Sequence, residues 1–374
     1  MRDHWLAERT RLIQASGIRR VFDLARELTN PINLSIGQPH FDVPTPIKES
    51  AIAAILAGHN GYTVTQGIPE LRDKIRERVR QQLPQQDREV LITSGTSGGL
   101  VLAVLTCVNP GDEVIIFDPY FVMYPHLVRM AGGIPVFVDT YPDFQIDPER
   151  VRRAITPRTK MILFNSPANP TGTVTSRERV CALAELAEQQ GLLLVSDEVY
   201  RAFCYDSEFT SPAAFNPEVL VLDGFSKAYG MTGWRLGYAH GPKRLIEEMA
   251  KLQQFTFVCA PSMVQHAGIT ALDYDVSPIV ADYRRKRDLI CQALREHYEL
   301  VTPQGAFYAF PKVPWGSDEE FVTACIQEQL LVIPGSVFSQ RSTHFRISYA
   351  ADDETLHRGI EVLLRLALRK GSNS

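Results

Sequence analysis

Between residues 46 and 272, short runs of consecutive apolar residues alternate with longer stretches in which apolar side chains return every three or four positions. Seven runs read as strands: Val90–Thr93, Val114–Phe117, Pro135–Val138, Met161–Phe164, Leu192–Val195, Val219–Leu222 and Leu236–Ala239. Unbroken apolar runs, as opposed to alternating ones, mark strands covered on both faces. Segments between them, such as Arg177–Gln190 with its apolar stripe, have helical spacing. The alternation predicts an α/β fold built on a mainly parallel seven-stranded sheet.

Ser94, Asp118, Asn165, Asp197 and Asp223 stand at or just after the C-terminal ends of these runs. Open sheets of this kind bind ligands along that edge. Turn capping alone accounts for two or three of the five.

After Ala271 the pattern changes. A long charged helical stretch, Pro278–Tyr298, precedes shorter strand candidates at Ala306–Phe310, Leu330–Ile333 and Phe345–Tyr349, then a last helix from Asp353. The reading is a large domain over 46–272 and a smaller α+β domain formed by 273–374 together with 1–45.

Composition narrows the function. A hydrophobic share of 45% and a charged share of 22% suit a soluble globular chain, and a net charge of −4 offers no footprint for nucleic acid or an acidic membrane. No apolar stretch is long enough to span a bilayer. The charged Met1–Arg20 stretch lacks an apolar signal core, which predicts a cytoplasmic protein. The six cysteines have no C-x-x-C pairing and the nine histidines no metal-binding spacing, so reduced thiols and no metal are expected.

Lys227 carries the most chemistry. It follows a buried strand within F-S-K-A-Y-G-M-T-G-W-R-L-G-Y, with Arg235 eight residues on. A buried lysine can fall far below its free pKa of about 10.4 and become a Schiff-base nucleophile. S-G-T-S-G-G-L (Ser94–Leu100) links a strand to an apolar helix; small residues and the positive end of the helix suit a phosphate. Asp197, ending a wholly apolar strand, needs a cation, and a protonated heterocyclic nitrogen is one candidate. Asn169 lies in the rigid turn N-P-T-G, and Phe121 follows another strand end where it could stack on a ring. Arg346, in the alternating strand F-R-I-S-Y, suggests a bidentate carboxylate partner, either a ligand or a structural Asp or Glu.

With L-S-I-G-Q-P-H-F-D-V-P-T-P, G-Y-T-V-T-Q-G-I-P-E-L-R, S-D-E-V-Y, G-A-F-Y and V-I-P-G in the same order, these motifs resemble the class I/II aminotransferases of pyridoxal phosphate (PLP) fold type I. The nearest subgroup is that of prokaryotic aspartate and aromatic amino acid aminotransferases. The resemblance implies that Lys227 holds PLP and shuttles the substrate α-proton. It implies that Asp197 pairs with the pyridine nitrogen and that Asn169 and Tyr200 bond the phenolic oxygen. Phe121 would stack on the ring. Arg235, Ser226 and the backbone of Gly95, Thr96 and Ser97 would bind the phosphate, with Tyr62 reaching the phosphate of a second subunit in a homodimer. Arg346 and the Gly37 backbone would bind the substrate α-carboxylate. The substrates would be L-amino acids (aspartate, aromatic or other) and a 2-oxo acid such as 2-oxoglutarate, taken in two ping-pong half-reactions.

Three departures bear on that resemblance. Gly224 stands where many relatives carry a phosphate-binding serine, and Ser97 where aspartate-selective ones often carry lysine; Ser16–Arg19 looks closer to the aromatic enzymes. Two rivals remain: a carbon–sulfur β-lyase on the same fold, and a serine hydrolase with Ser97 in G-x-S-x-G, Asp197 and His344 or His357. A PLP-binding regulator has no DNA-binding segment to support it.

Overall fold

All seven apolar runs pair into one sheet because none has a polar face to give to water. The computed structural model describes residues 3–13 and 28–369. The strands are β1 (Glu89–Ser94), β2 (Glu113–Asp118), β3 (Ile134–Asp139), β4 (Thr159–Asn165), β5 (Leu193–Asp197), β6 (Leu220–Gly224) and β7 (Leu236–Gly241). Their spatial order is β1-β7-β6-β5-β4-β2-β3. Only β7 runs antiparallel, against both β1 and β6; every other pair is parallel. Two apolar layers cover the sheet. One contains Ile75, Leu183 and Ala267, the other Leu102, Val128 and Met249.

The C-terminal region has its own core, containing Tyr283, Phe307, Phe321, Phe345 and Leu363. It is built around helices α2 (Ser277–Leu294) and α3 (Asp353–Leu368) and strand β8 (Phe345–Ser348). Ile32–Asn33 pairs in parallel with Leu330–Leu331 and so ties the N-terminal segment to this region.

Three expectations need correction here. The stretch 306–310 forms a strand only at Tyr308–Ala309, because Ala306 has a left-handed φ of 54° and gives its N–H to the Phe203 carbonyl. The run 330–333 divides at Val332: Leu330–Leu331 pairs with Ile32–Asn33, while Ile333–Pro334 pairs with β8. The charged helix ends at Leu294, short of Tyr298, whose hydroxyl donates to the Leu363 carbonyl at 2.7 Å. Ser16–Arg19 lies outside the described residues.

Candidate active site

The C-terminal ends of β1, β5 and β6 meet the N-terminal segment and β8 around one cavity of about 270 Å³. Gly37, Thr96, Ser97, Phe121, Asn169, Asp197, Tyr200, Ser226, Lys227, Arg235 and Arg346 all line it. These positions span more than three hundred residues of sequence, and the fold brings them together.

Asp197 is the last residue of β5 and 5% exposed. Its Oδ2 accepts from the Tyr124 hydroxyl at 2.8 Å and its Oδ1 from the Val199 N–H at 3.3 Å. Burial pushes its pKa up to about 6; those two hydrogen bonds and the charge of Lys227 pull the other way. The carboxylate is ionised near neutral pH, aimed into a cavity, and unpaired with any cation among the described residues.

Lys227 follows β6 by three residues, and its Nζ donates to the Gly37 carbonyl at 2.6 Å. Burial lowers its pKa to about 8, helped by the positive charges of Arg346 and Arg235 and opposed by Asp197. At pH 7 the neutral, nucleophilic fraction is then roughly 10%, some hundreds of times that of a free lysine.

Helix α1 (Gly95–Cys107) points its N-terminus into the same cavity with no side-chain cap on it. Gly95 has φ +69°, and a Cβ there would sit 2.6 Å from Arg235 Nη2. Arg235 itself adopts the left-handed φ of 56° and is held by Thr232 O at 3.0 Å, which turns its guanidinium over the helix end. Free N–H groups, the helix dipole and this guanidinium together form an anion site. The Thr96 hydroxyl beside it is buried without a partner. It also explains Gly224, since a Cβ at that position would lie 2.7 Å from Thr96 Oγ1. Ser226 lines the cavity and is 6% exposed. An uncapped helix end, an orphaned hydroxyl, an amine and a buried carboxylate fit the phosphate, aldehyde and pyridine nitrogen of PLP.

Arg346, on β8, is 1% exposed, sandwiched between the rings of Tyr308 and Phe338 at 4.6 Å each. Its Nη1 donates to Asn169 Oδ1 at 3.0 Å and its Nη2 to the Ser35 carbonyl at 2.7 Å, while Nε has no partner. No Asp or Glu pairs with it among the described residues, so the structural explanation for this arginine falls. A buried guanidinium that lines a cavity with no anion and an unpartnered N–H is suited to bind one.

Other predicted residues lie elsewhere. Tyr62 is 89% exposed and does not reach the cavity of its own chain. Asp118 and Asp223, though at strand ends, do not line it. Asp118 accepts from the Gln340 N–H at 3.0 Å and Asp223 from the Tyr238 hydroxyl at 2.7 Å. Neither His344 nor His357 lines the cavity: His344 stacks on Phe310, and His357 is exposed on α3. Ser97 therefore has no triad histidine in either of them. Tyr124 and Tyr308, whose hydroxyls meet Asp197 and Tyr200, are functional neighbours that sequence reasoning missed. The only sequence signal for Tyr308 is its place in G-A-F-Y.

Comparison with known proteins points the same way. The family described as "Aminotransferase class I and II" matches residues 29–363. The probable aspartate aminotransferase of Methanocaldococcus jannaschii is 37% identical, the match covering 96% of this chain and 98% of the relative. Aromatic-amino-acid aminotransferase 2 of Thermococcus litoralis is 33% identical, with 98% and 99% covered. The solved structure of Thermus thermophilus aspartate aminotransferase with maleate superposes with a TM-score of 0.92 at 37% identity, covering 98% of this chain and 100% of that one.

Proposed function

Because this chain belongs to the class I and II aminotransferases, PLP-dependent enzymes that move an amino group from an amino acid to a 2-oxo acid, we propose the following division of labour among its residues. Bound PLP supplies the electron sink for the pair left when the substrate α-proton departs. Lys227 Nζ would hold the cofactor covalently at rest and, once the substrate amine has displaced it, would be free as a neutral amine to take the substrate α-proton and give it back. Its lowered pKa, about 8, suits both tasks, since a base works best near the operating pH. Asp197 holds a proton on the ring nitrogen, and Tyr124 holds Asp197. Phe121 backs the ring, and Asn169 and Tyr200 bond its oxygen. Arg235, Ser226 and the N-terminus of α1, at Gly95, Thr96 and Ser97, bind the phosphate.

Arg346 and the backbone at Gly37 bind the substrate α-carboxylate. Every donor and acceptor shares that group, so one fixed clamp serves both half-reactions. The observation carrying this reading is Arg346 itself, fully buried, with no protein carboxylate against it. Aromatic and other apolar donors are served at least as well as aspartate. The cavity's three cations, Lys227, Arg235 and Arg346, already have tasks, so none is left to meet a side-chain carboxylate.

We assign residues 46–272 to the cofactor-holding domain and 1–45 with 273–374 to the domain carrying Arg346. The working unit is a homodimer. Tyr62 is exposed, as are the apolar side chains Ile52, Ile55, Leu56, Val64, Phe255 and Val258, which a second copy would cover. In the dimer Tyr62 reaches the second subunit's phosphate site. Mixing Lys227→Ala with Tyr62→Ala subunits then restores part of the activity that each variant lacks; no recovery on mixing contradicts the shared site.

The test of the reaction is to add aspartate, phenylalanine and glutamate separately to the holoenzyme without an oxo acid. Transamination converts no more than one equivalent of each donor per site; continued release of ammonia and pyruvate from an S-substituted cysteine, added in the same way, would identify the β-lyase instead.

A further inference from the structure

The segment Leu34–Phe41 is tied to the site at one end and to α2 at the other. Ser35 O accepts from Arg346 Nη2 at 2.7 Å, and Gly37 O from Lys227 Nζ at 2.6 Å. Three residues on, His40 is held by two neighbouring residues of α2. Its backbone N–H and Nδ1 lie 3.2 and 3.0 Å from the Tyr283 hydroxyl, and its Nε2 lies 2.8 Å from Lys286 Nζ. An ammonium can only donate, so Nε2 must be the unprotonated acceptor and the ring neutral. Lys286 uses its remaining protons on the Ala351 carbonyl at 2.6 Å and Asp282 Oδ2 at 3.1 Å. Ala351 lies five residues beyond Arg346. His40 and Lys286 thus join the two pieces of chain that flank the carboxylate clamp.

We propose that His40 is a positioning residue and a proton-sensitive latch for this clamp. Neutral, it accepts from Lys286 and holds the Ser35–Gly37 backbone against Arg346 and Lys227. Protonated, it loses its acceptor, sets a second cation against Lys286, and lets that backbone move. The proposal rests on the assignment of Arg346 and Gly37 to the substrate carboxylate.

The charges facing His40 set the direction. From α2 come Lys286, Tyr283 and Asp282, the last at 3.7 Å; from the end of the chain come Asp352 and Asp353. Arg285 bridges Asp282 and Asp353 at 2.7 Å each, which reduces their hold on the imidazole. Burial first, then Lys286, lowers the pKa of His40 from 6.5, against the weaker pull of the three aspartates. The unfolded chain therefore takes up this proton before the folded one does. The latch is intact at neutral pH and fails as pH falls through the folded-state pKa of His40, which lies below the ordinary 6.5.

The test compares holoenzyme, His40→Gln and His40→Ala between about pH 5 and 8. Glutamine keeps an acceptor for Lys286 but cannot titrate. Relative to His40→Gln, the wild type should lose kcat/KM progressively on the acid side, with kcat moving less. His40→Ala should be impaired at every pH. Hydrogen exchange of the 34–41 backbone, read against His40→Gln at each pH, should rise over the same range. An acid limb unchanged in His40→Gln, with no extra exchange in the wild type, overturns the latch. Extra exchange without any change in kcat/KM overturns the positioning role; the carboxylate assignment beneath it fails separately, if Arg346→Ala leaves KM for every donor and acceptor unchanged.

Discussion

Two pairs of inward-facing cations in this chain are satisfied in opposite ways. On α2, Lys286 meets Asp282, and the 4%-exposed Arg287 meets Asp206 at 2.7 Å, Asp288 at 2.6 Å and the Pro303 carbonyl at 2.7 Å. At the site, Lys227 and Arg346 have only carbonyl and amide oxygens, from Gly37, Ser35 and Asn169. A structural cation meets a counter-charge, as on α2, or has every donor nitrogen on a neutral acceptor, as the buried Arg88 does with His240, Gln86, Pro217 and Val219. At the site Arg346 has no anion, and its Nε is left without any partner beside a cavity. Burying an unpaired charge costs several kcal/mol, so the site pair is stored binding energy.

The sharpest way to break the comparison is at Lys227. Lys227→Ala should cut transamination by at least about 10⁴-fold, the upper range for a positioned proton-transfer group, with the fold intact by circular dichroism. Next is Arg346→Ala. Losing a buried charge pair costs about 3–5 kcal/mol, or roughly 10²–10⁴-fold in kcat/KM, and the loss should be similar for every donor and acceptor. A loss confined to one substrate would make Arg346 a reader of side chains.

Capture of PLP by apoprotein offers a pH test of the same pair. The amine attacks only when unprotonated, so the capture rate should rise with pH and level off above about 8, where Lys227 has titrated. Continued increase towards pH 10 would mean that its neighbours do not depress it. The smallest effect is expected on the structural side. Arg287→Ala should lower stability by about 1–2 kcal/mol, discounted because Asp206 and Asp288 are more than 40% exposed, and should leave KM unchanged.

The large sheet was legible because its strands, the edge strand β3 excepted, are buried on both faces. Every expected run lies in a strand within a residue or two, and Asn165 and Asp197, which close β4 and β5, line the cavity at the sheet's ligand edge. The small region was less so, since its strands are two to four residues long and their pairing depends on distant partners such as Ile32–Asn33. The site divides along the same line. Lys227, Asp197 and Arg346 stood out as charges in apolar surroundings, which sequence displays directly. Tyr124 did not, because a tyrosine in an apolar helix reads as core, and its partner Asp197 lies 73 residues away. Strand-end position alone also misled: Asp118 and Asp223 share it with Asp197, but their carboxylates are taken by Gln340 and Tyr238.

The most direct test of the account is to reduce the holoenzyme with borohydride, digest it, and locate the cofactor by mass spectrometry. The account predicts one modified peptide, carrying the cofactor on Lys227, and none when the holoenzyme is treated with an amino acid donor before reduction. Cofactor fixed on another lysine, or spread over several, would contradict it.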